Sequence, residues 1–233
     1  MTTPLHSNHK AMLAEVLDLH GKVVADVGCG DGAMVRHLTR EGATAVGLEP
    51  SPEQLARARA AEPAGGEAYR EGRGEALPFD DGSLDAVLYF NSFHHLPLDA
   101  MRPALAEAAR VLRPAGLVVA VEPLAEGAYF AVLKPVEDET AVRAAAYEAL
   151  REPPAGLVPE LETVYLNTVR FRDFAQFIDS VVAADRSRRE RLPAVETEMR
   201  RLFEAGARVE DGRAAFDQPM RMMVLRRTHL PPP

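Results

Sequence analysis

Apolar runs of strand length alternate with amphipathic stretches over the first half of the chain. The period and length of these runs predict five strands, at residues 22–27, 43–48, 67–71, 84–90 and 117–121. The stretches between and before them have helical spacing or a helix-opening signal, at residues 8–20, 33–41, 99–112 and from the Ser51-Pro52-Glu53 triplet onwards. Strands that alternate with helices predict a parallel sheet with right-handed crossovers.

This alternation stops after residue 122. Residues 123–185 contain five prolines and two helical stretches, near 137–150 and 171–183, and we interpret them as a helical cap inserted after the fifth strand. A last helix near 187–205 and an antiparallel hairpin of strands 207–217 and 219–227 complete the pattern.

The predicted fold class is therefore α/β: a Rossmann-like, mostly parallel, seven-stranded sheet with helices on both faces and a closing antiparallel hairpin. We expect a single domain over residues 1–233. Within it, residues 21–122 would bind a cofactor, 123–185 would face the substrate, and 186–228 would supply the last helix and closing strands.

Charge and cysteine content narrow the class of partner. The chain has 233 residues, with 35 acidic against 27 basic side chains and a net charge of −8, which argues against a nucleic-acid partner. No apolar run reaches the roughly 18 residues of a membrane helix. The single cysteine, Cys29, fits a reducing cytoplasm, and the sparse Cys and His predict no metal site. The oligomeric state is left open.

A strand that runs into a glycine-rich turn is the most informative segment. Gly28, Gly30 and Ala33 fit the G-x-G-x-x-A pattern, in which the backbone approaches a ligand closely at the start of a helix. Glu49 ends the next strand, where a carboxylate can accept hydrogen bonds from a ribose cis-diol. These features predict an adenosine-containing ligand.

The charge of Asp26 separates two kinds of adenosine ligand. Asp26 stands two residues before the first glycine, where a carboxylate would repel the pyrophosphate of NAD or FAD. A ligand with a sulfonium and an ammonium group would instead be attracted. A nicotinamide-dependent oxidoreductase is therefore the least favoured hypothesis.

Six segments together resemble the class I S-adenosylmethionine-dependent methyltransferases. The resemblance is closest to the small-molecule group that includes the quinone-biosynthesis C-methyltransferases (methyltransferase type 11). It covers residues 21–122 and is weak elsewhere. The segments are Asp26–Gly32, Glu49-Pro50-Ser51, Gly74–Phe79, Asp85–Phe90, His94-His95-Leu96 and Arg110–Gly116.

The resemblance implies S-adenosylmethionine as cofactor, S-adenosylhomocysteine as product, and methyl transfer to a small-molecule acceptor. By this likeness the loop of Gly28, Cys29 and Gly30 would wrap the methionine part, with Asp26 near its ammonium group. Glu49 would bind both ribose hydroxyls.

The likeness also implies the surroundings of the adenine. Pro50 would pack on the ring, and Gly74 and Glu75 would meet its edge through backbone groups. Asn91 would present its carbonyl to the methionine ammonium. Arg73 departs from the pattern, because many relatives have an aspartate there that takes the adenine amino group.

Candidate catalytic residues follow the fourth and fifth strands. His94, His95 and Glu122 could remove a proton from an acceptor. The alternative is that the histidines support the loop. Adjacent histidines point in different directions, which argues against a metal ion shared by the two.

The predicted cap supplies four aromatic residues as candidates for an apolar substrate pocket. The arginine run at 186–191 is interpreted as a solvated helix face. A protein that binds S-adenosylmethionine or S-adenosylhomocysteine without turnover, as a sensor or partner module, remains the second functional hypothesis. The four aromatic residues are Tyr129, Phe130, Tyr147 and Tyr165.

Overall fold

The computed structural model describes residues 5–228, which form nine strands and eight α-helices. A single 3-10 turn, Phe93–His95, follows the fifth strand. The strands are β1 (Leu5–His6), β2 (Val23–Val27), β3 (Thr44–Glu49), β4 (Ala68–Glu71), β5 (Leu84–Phe90), β6 (Leu112–Pro123), β7 (Leu157–Phe171), β8 (Arg208–Glu210) and β9 (Arg213–Arg227). The helices are α1 (His9–Val16), α2 (Ala33–Arg40), α3 (Pro52–Ala60), α4 (Met101–Val111), α5 (Gly127–Leu133), α6 (Thr140–Arg151), α7 (Phe174–Ala184) and α8 (Arg188–Gly206).

The described residues divide into two compact units. The larger unit comprises residues 10–122, 144–163 and 221–228. The smaller unit comprises residues 5–9, 123–143 and 164–220. The predicted cap is therefore not one body, because its residues 144–163 cluster with the larger unit.

The larger unit contains the predicted parallel sheet. Its strand order is β7-β9-β6-β5-β2-β3-β4, and the successive pairs from β6 to β4 are parallel. Its core is built from buried strand residues such as Val87 and Val118 and from the buried face of α4, including Leu105 and Ala108. The α/β class is thus confirmed, and the carboxyl ends of five parallel strands meet at one edge of the sheet, where such folds bind ligands.

The smaller unit is organised around aromatic side chains. Its strands follow the order β1-β7-β9, and β8 pairs with β9. Phe171, Phe174 and Phe177 pack with Phe203 and Phe216, with ring centroids 5.2–6.5 Å apart. Phe171, Phe174 and Phe177 are spaced three residues apart along the chain, and all three belong to this core.

Strand β7 is the main departure from the predicted fold, which has seven strands and a purely helical insertion. Its 15 residues lie inside the predicted cap, and with β1 it raises the strand number to nine. The first half of β7 is exposed, and Leu157, Tyr165 and Phe171 are its buried residues. A strand with so few buried positions has no period-two pattern to reveal it.

Two boundaries also differ from the prediction. The break expected at residues 113–116 is an irregularity within β6, where the pairing to β5 changes register and Ala115 has a φ of 64°. The closing hairpin is antiparallel as predicted, but it turns at Asp211 and Gly212, whose φ values are 50° and 72°. This Asp-Gly pair suits a two-residue hairpin turn, and β9 continues through Pro219.

None of the helices within residues 5–228 combines the length and the apolar character needed to cross a bilayer.

A buried ion-pair network corrects the interpretation of the arginine run. Arg188 is buried, with Nε 2.6 Å from a Glu137 carboxylate oxygen and Nη2 3.1 Å from a Glu139 oxygen. Glu139 is also buried and pairs with Arg143, whose guanidinium lies 4.9 Å from the ring centroid of Phe130. Arg189, in contrast, is exposed. One member of the run thus ties α8 to the segment before α6.

We expect Arg188→Ala to lower the free energy of unfolding by about 3–5 kcal/mol, because it leaves the buried Glu139 carboxylate with less compensation. The matched control is Arg189→Ala, which should change stability by less than about 0.5 kcal/mol. Urea denaturation of both variants measures the difference, and equal effects would contradict a structural role for the network.

Candidate functional site

The glycine turn after β2 combines a packed position with an open one. Gly28 has a φ of 74° and its N–H donates to the Leu48 carbonyl oxygen at 2.8 Å. A Cβ at Gly28 would lie 2.6 Å from the Cβ of Ser92, so a side chain is excluded there. Gly30 has a φ of 55°, and a Cβ there would meet nothing within 4 Å. The turn is therefore fixed by packing on one side and accessible to a ligand on the other.

Cys29, between the two glycines, is buried and has its backbone N–H bonded to Leu48. Burial raises the pKa of its thiol, so the side chain stays protonated at neutral pH and acts as a small apolar filler.

Glu49 holds the glycine turn with its carboxylate. Oε2 accepts from the Gly30 N–H at 2.8 Å, and Oε1 accepts from the Ser51 N–H at 2.9 Å. Each carboxylate oxygen has two lone pairs, so each retains capacity for a further donor. Glu49 can therefore accept hydrogen bonds from a diol while it fixes the turn.

Asp26 is a buried carboxyl group with an unsatisfied oxygen. The residue is 1% exposed, and its Oδ1 has no hydrogen-bond partner within residues 5–228. Burial, and secondarily the charge of Glu49, raise the pKa of Asp26 to about 7. Burying such an atom is costly without a partner, and a cationic ligand would supply one.

A cleft of about 400 Å³ lies beside the carboxyl end of β3. Its walls are formed by Pro50, Glu71, Gly72, Arg73 and Ala76. Pro50, one of the residues expected around an adenine, thus lines this cleft.

The two other residues expected at the adenine edge are engaged with the protein. A Cβ at Gly74 would lie 3.3 Å from Leu96 and 3.4 Å from Ala104, so Gly74 is closely packed. One carboxylate oxygen of Glu75 accepts from Arg73 Nε at 2.7 Å. Their backbone groups remain the proposed adenine contacts.

The loop after β5 is anchored by Glu122, at the end of β6. The Glu122 carboxylate accepts from the N–H groups of Ser92, Phe93 and His94 at 3.2, 2.9 and 3.3 Å. The ring Nδ1 of His94 also bonds to this carboxylate. Asn91 precedes this turn with a φ of 51°, an exposed side chain and its N–H bonded to Val121.

This geometry gives Glu122 a positioning role, and its expected catalytic role stays a prediction. With three backbone donors and an imidazole on its two oxygens, Glu122 positions the 92–95 turn and is poorly suited to act as a base. His94 is buried against it, whereas His95 is exposed with its ring 4.0 Å from that of His94. The Ser92 hydroxyl, which donates to the Val27 carbonyl oxygen at 2.6 Å, also supports this turn, and no motif in the sequence marks it.

The aromatic candidates for a substrate pocket are packed within their own units. In the larger unit, Tyr147 lies under the Arg221 guanidinium, 3.7 Å from the ring centroid. In the smaller unit, Tyr129 packs on Phe171 and other core rings, and Phe130 is buried. Tyr165 is fully buried, with its hydroxyl 2.7 Å from Nδ1 of His9. A role of these four residues in binding a substrate stays a prediction.

Comparisons with known proteins agree with the geometry of the larger unit. Residues 25–120 match a family model described as a methyltransferase domain. An uncharacterized methyltransferase of Synechocystis sp. is 32% identical over 114 residues, which cover 49% of this chain and 53% of the relative. The phthiotriol/phenolphthiotriol dimycocerosates methyltransferase of Mycobacterium tuberculosis is 37% identical over 113 residues, or 48% and 41%. The chain spans about half or less of the length of these relatives.

Solved structures resemble the chain over nearly its whole length. An S-adenosylmethionine dependent methyltransferase from Mesorhizobium loti has a TM-score of 0.54 at 18% identity, covering 94% of this chain and 96% of the other. The [4+2]-cyclase SpnF has a TM-score of 0.62 at 20% identity, covering 98% and 88%. At these identities they show the fold alone. Residues 25–120 thus match a methyltransferase domain, and the chain has a fold like that of an S-adenosylmethionine dependent methyltransferase.

Proposed function

We propose that the chain transfers a methyl group from S-adenosylmethionine to a small-molecule acceptor, mainly by positioning the acceptor and excluding water. The observation that carries this proposal is the buried, unsatisfied oxygen of Asp26 beside an accessible glycine turn. Two buried acids at adjacent strand ends suit a ligand that combines positive charge with a ribose, and they disfavour a pyrophosphate.

The residues present fit S-adenosylmethionine. Asp26 would accept from its ammonium group, the Gly28–Gly30 turn would enclose the methionine part, and Glu49 would bind the ribose hydroxyls. Pro50 would pack on the adenine, and the Asn91 carbonyl would contribute a second acceptor for the ammonium. When bound, the cofactor supplies an electrophilic methyl carbon on a sulfonium.

The reaction then requires little acid–base catalysis from the protein's own side chains. Glu122 and His94 hold the turn after β5, which leaves His95 as the exposed imidazole for a proton from the acceptor. An acceptor atom that is already nucleophilic needs no base, so alignment and desolvation account for the rate.

A cytoplasmic location fits the single buried thiol.

Two observations support a small acceptor. The net charge of −8 opposes a nucleic-acid substrate. The Mycobacterium tuberculosis relative carries a phthiotriol-type acceptor in its name, although its similarity covers less than half of either chain.

Binding without methyl transfer is the second candidate function. The structural likeness to SpnF, described as a [4+2]-cyclase, favours keeping it, because one fold can host different chemistry. Turnover assays on a panel of small acceptors separate the two. Calorimetric binding of NAD with no binding of S-adenosylmethionine would contradict both.

We expect Glu49→Gln to weaken S-adenosylhomocysteine binding by roughly 10–100-fold, because a charged acceptor for the ribose hydroxyls is lost. The control is Glu53→Gln, an exposed acid at the start of α3, which should bind like the unmodified protein. Calorimetry measures both variants, and unchanged affinity in the first would contradict the ribose assignment.

We expect Asp26→Asn to make the protein more stable above pH 7. The unfolded chain releases the Asp26 proton near pH 4 and the folded chain near pH 7, so folding stability falls as pH rises between these values. Asparagine has no such proton to lose. Urea unfolding should show a gain of about 1–4 kcal/mol at pH 8 and almost none at pH 4.

The same substitution should weaken cofactor binding while it stabilises the fold, because the ammonium group loses its counter-charge. In the unmodified protein, affinity for S-adenosylhomocysteine should fall about tenfold from pH 8 to pH 6, as Asp26 gains its proton. Asp26→Asn should abolish this slope. A variant that binds as tightly as the unmodified protein would refute the assigned role.

For the histidines we expect different losses. His94→Gln should lower stability by about 1–3 kcal/mol, because a buried hydrogen bond to Glu122 is disturbed. His95→Gln should leave the melting temperature unchanged, and both folded variants should keep turnover within tenfold. A loss of 10² or more for His95→Gln at unchanged melting temperature would show that it is a general base.

A further inference from the structure

The cleft beside Pro50 is placed to receive the base of a nucleoside. Pro50 directly follows Glu49, so a ribose bound to that carboxylate would direct its base into the cleft. Pro50 and Ala76 supply apolar walls. The polar part of the lining consists of Glu71 and Arg73. These two side chains would therefore decide which base the cleft prefers.

Arg73 presents an anchored guanidinium to this cleft. Its Nε donates to a Glu75 carboxylate oxygen at 2.7 Å, while the side chain remains 63% exposed. The contact with Glu75 uses one of five N–H donors, so the two terminal nitrogens keep four. The Glu75 side chain is 27% exposed, and its second carboxylate oxygen is buried. The fork is thus oriented by the protein and available to a ligand.

Guanidinium donors match one class of purine better than the other. A 6-oxopurine presents two neighbouring acceptors, O6 and N7, which an arginine fork can bind together, as it does on guanine. A 6-aminopurine presents N7 next to an amino donor, which cannot pair with a second N–H. Arginine has no acceptor with which to meet that amino group.

We propose that Arg73 is a specificity residue that reads purine acceptors, so that the site binds the 6-oxo analogue S-inosylhomocysteine at least as tightly as S-adenosylhomocysteine. This inference rests on the proposed cofactor site and adds which base edge the site selects. With Arg73 at this position, the site would not reject a nucleoside whose 6-amino group has been replaced by oxygen.

Glu71 would favour the other class of purine, the 6-aminopurines. Its carboxylate lies in the same lining and could accept from an adenine amino group. Glu71 is exposed, whereas Arg73 is held by Glu75. The anchored side chain loses less conformational entropy on binding, which favours Arg73 as the selecting residue.

The test is calorimetry with both nucleoside ligands on the purified chain. In the unmodified protein, S-inosylhomocysteine should bind as tightly as S-adenosylhomocysteine or up to tenfold more tightly. Arg73→Ala should weaken S-inosylhomocysteine by tenfold or more and S-adenosylhomocysteine by less than threefold. Arg73→Lys, which keeps the charge but not the fork, should resemble Arg73→Ala. Arg57→Ala, a half-exposed arginine of α3 that pairs with Glu53, is the matched control and should change neither affinity.

The outcomes separate this inference from the function on which it rests. If S-adenosylhomocysteine binds but S-inosylhomocysteine is tenfold weaker and Arg73→Ala leaves that ratio unchanged, the inference is wrong and the proposed function stands. A ratio altered by Glu71→Gln and not by Arg73→Ala assigns the selection to Glu71 and also overturns it. Failure of both ligands to bind, with the melting curve intact, overturns the cofactor site and the inference together.

Discussion

The buried carboxylates of Asp26 and Glu49 are the constraint on which the site depends. They lie at the ends of adjacent parallel strands, and the charge of Glu49 adds to burial in raising the pKa of Asp26. Glu49 offsets part of its own burial by accepting from the N–H groups of Gly30 and Ser51. The same two bonds fix the glycine turn. Within residues 5–228 the Oδ1 atom of Asp26 has no such compensation, and a positively charged group would supply it.

The glycine turn and Asp26 could be predicted because they are local in sequence. A strand, a turn and a helix within about a dozen residues leave a pattern that needs no knowledge of tertiary contacts. The roles of Glu122 and His9 could not be predicted in this way. Glu122 meets its partners 28 to 30 residues earlier in the chain, and His9 meets Tyr165 across 156 residues. Strand β7 was not predicted for a different reason, since its exposed first half has no alternation of buried and exposed side chains.

The two units differ in what the comparisons support. The family match ends at residue 120, before the smaller unit's long segments begin. Similarity therefore supports cofactor binding by the larger unit and leaves acceptor choice to be found by experiment. Deletion of residues 123–185 is a poor experiment for that purpose, because it removes β7 from the sheet. Point substitutions at exposed positions keep the sheet intact and are better suited.

Asp26 also shows why a functional site can be recognised by its cost to the fold. A core position at the end of a buried strand would be more stable with a neutral side chain, and the raised pKa of Asp26 expresses that cost. Local rules of burial fail here, which is where function is expected to override them. The buried carboxylate of Asp26 lowers the stability of the fold. A cationic ligand that paired with it would remove this cost, and the free energy gained would add to the binding of that ligand.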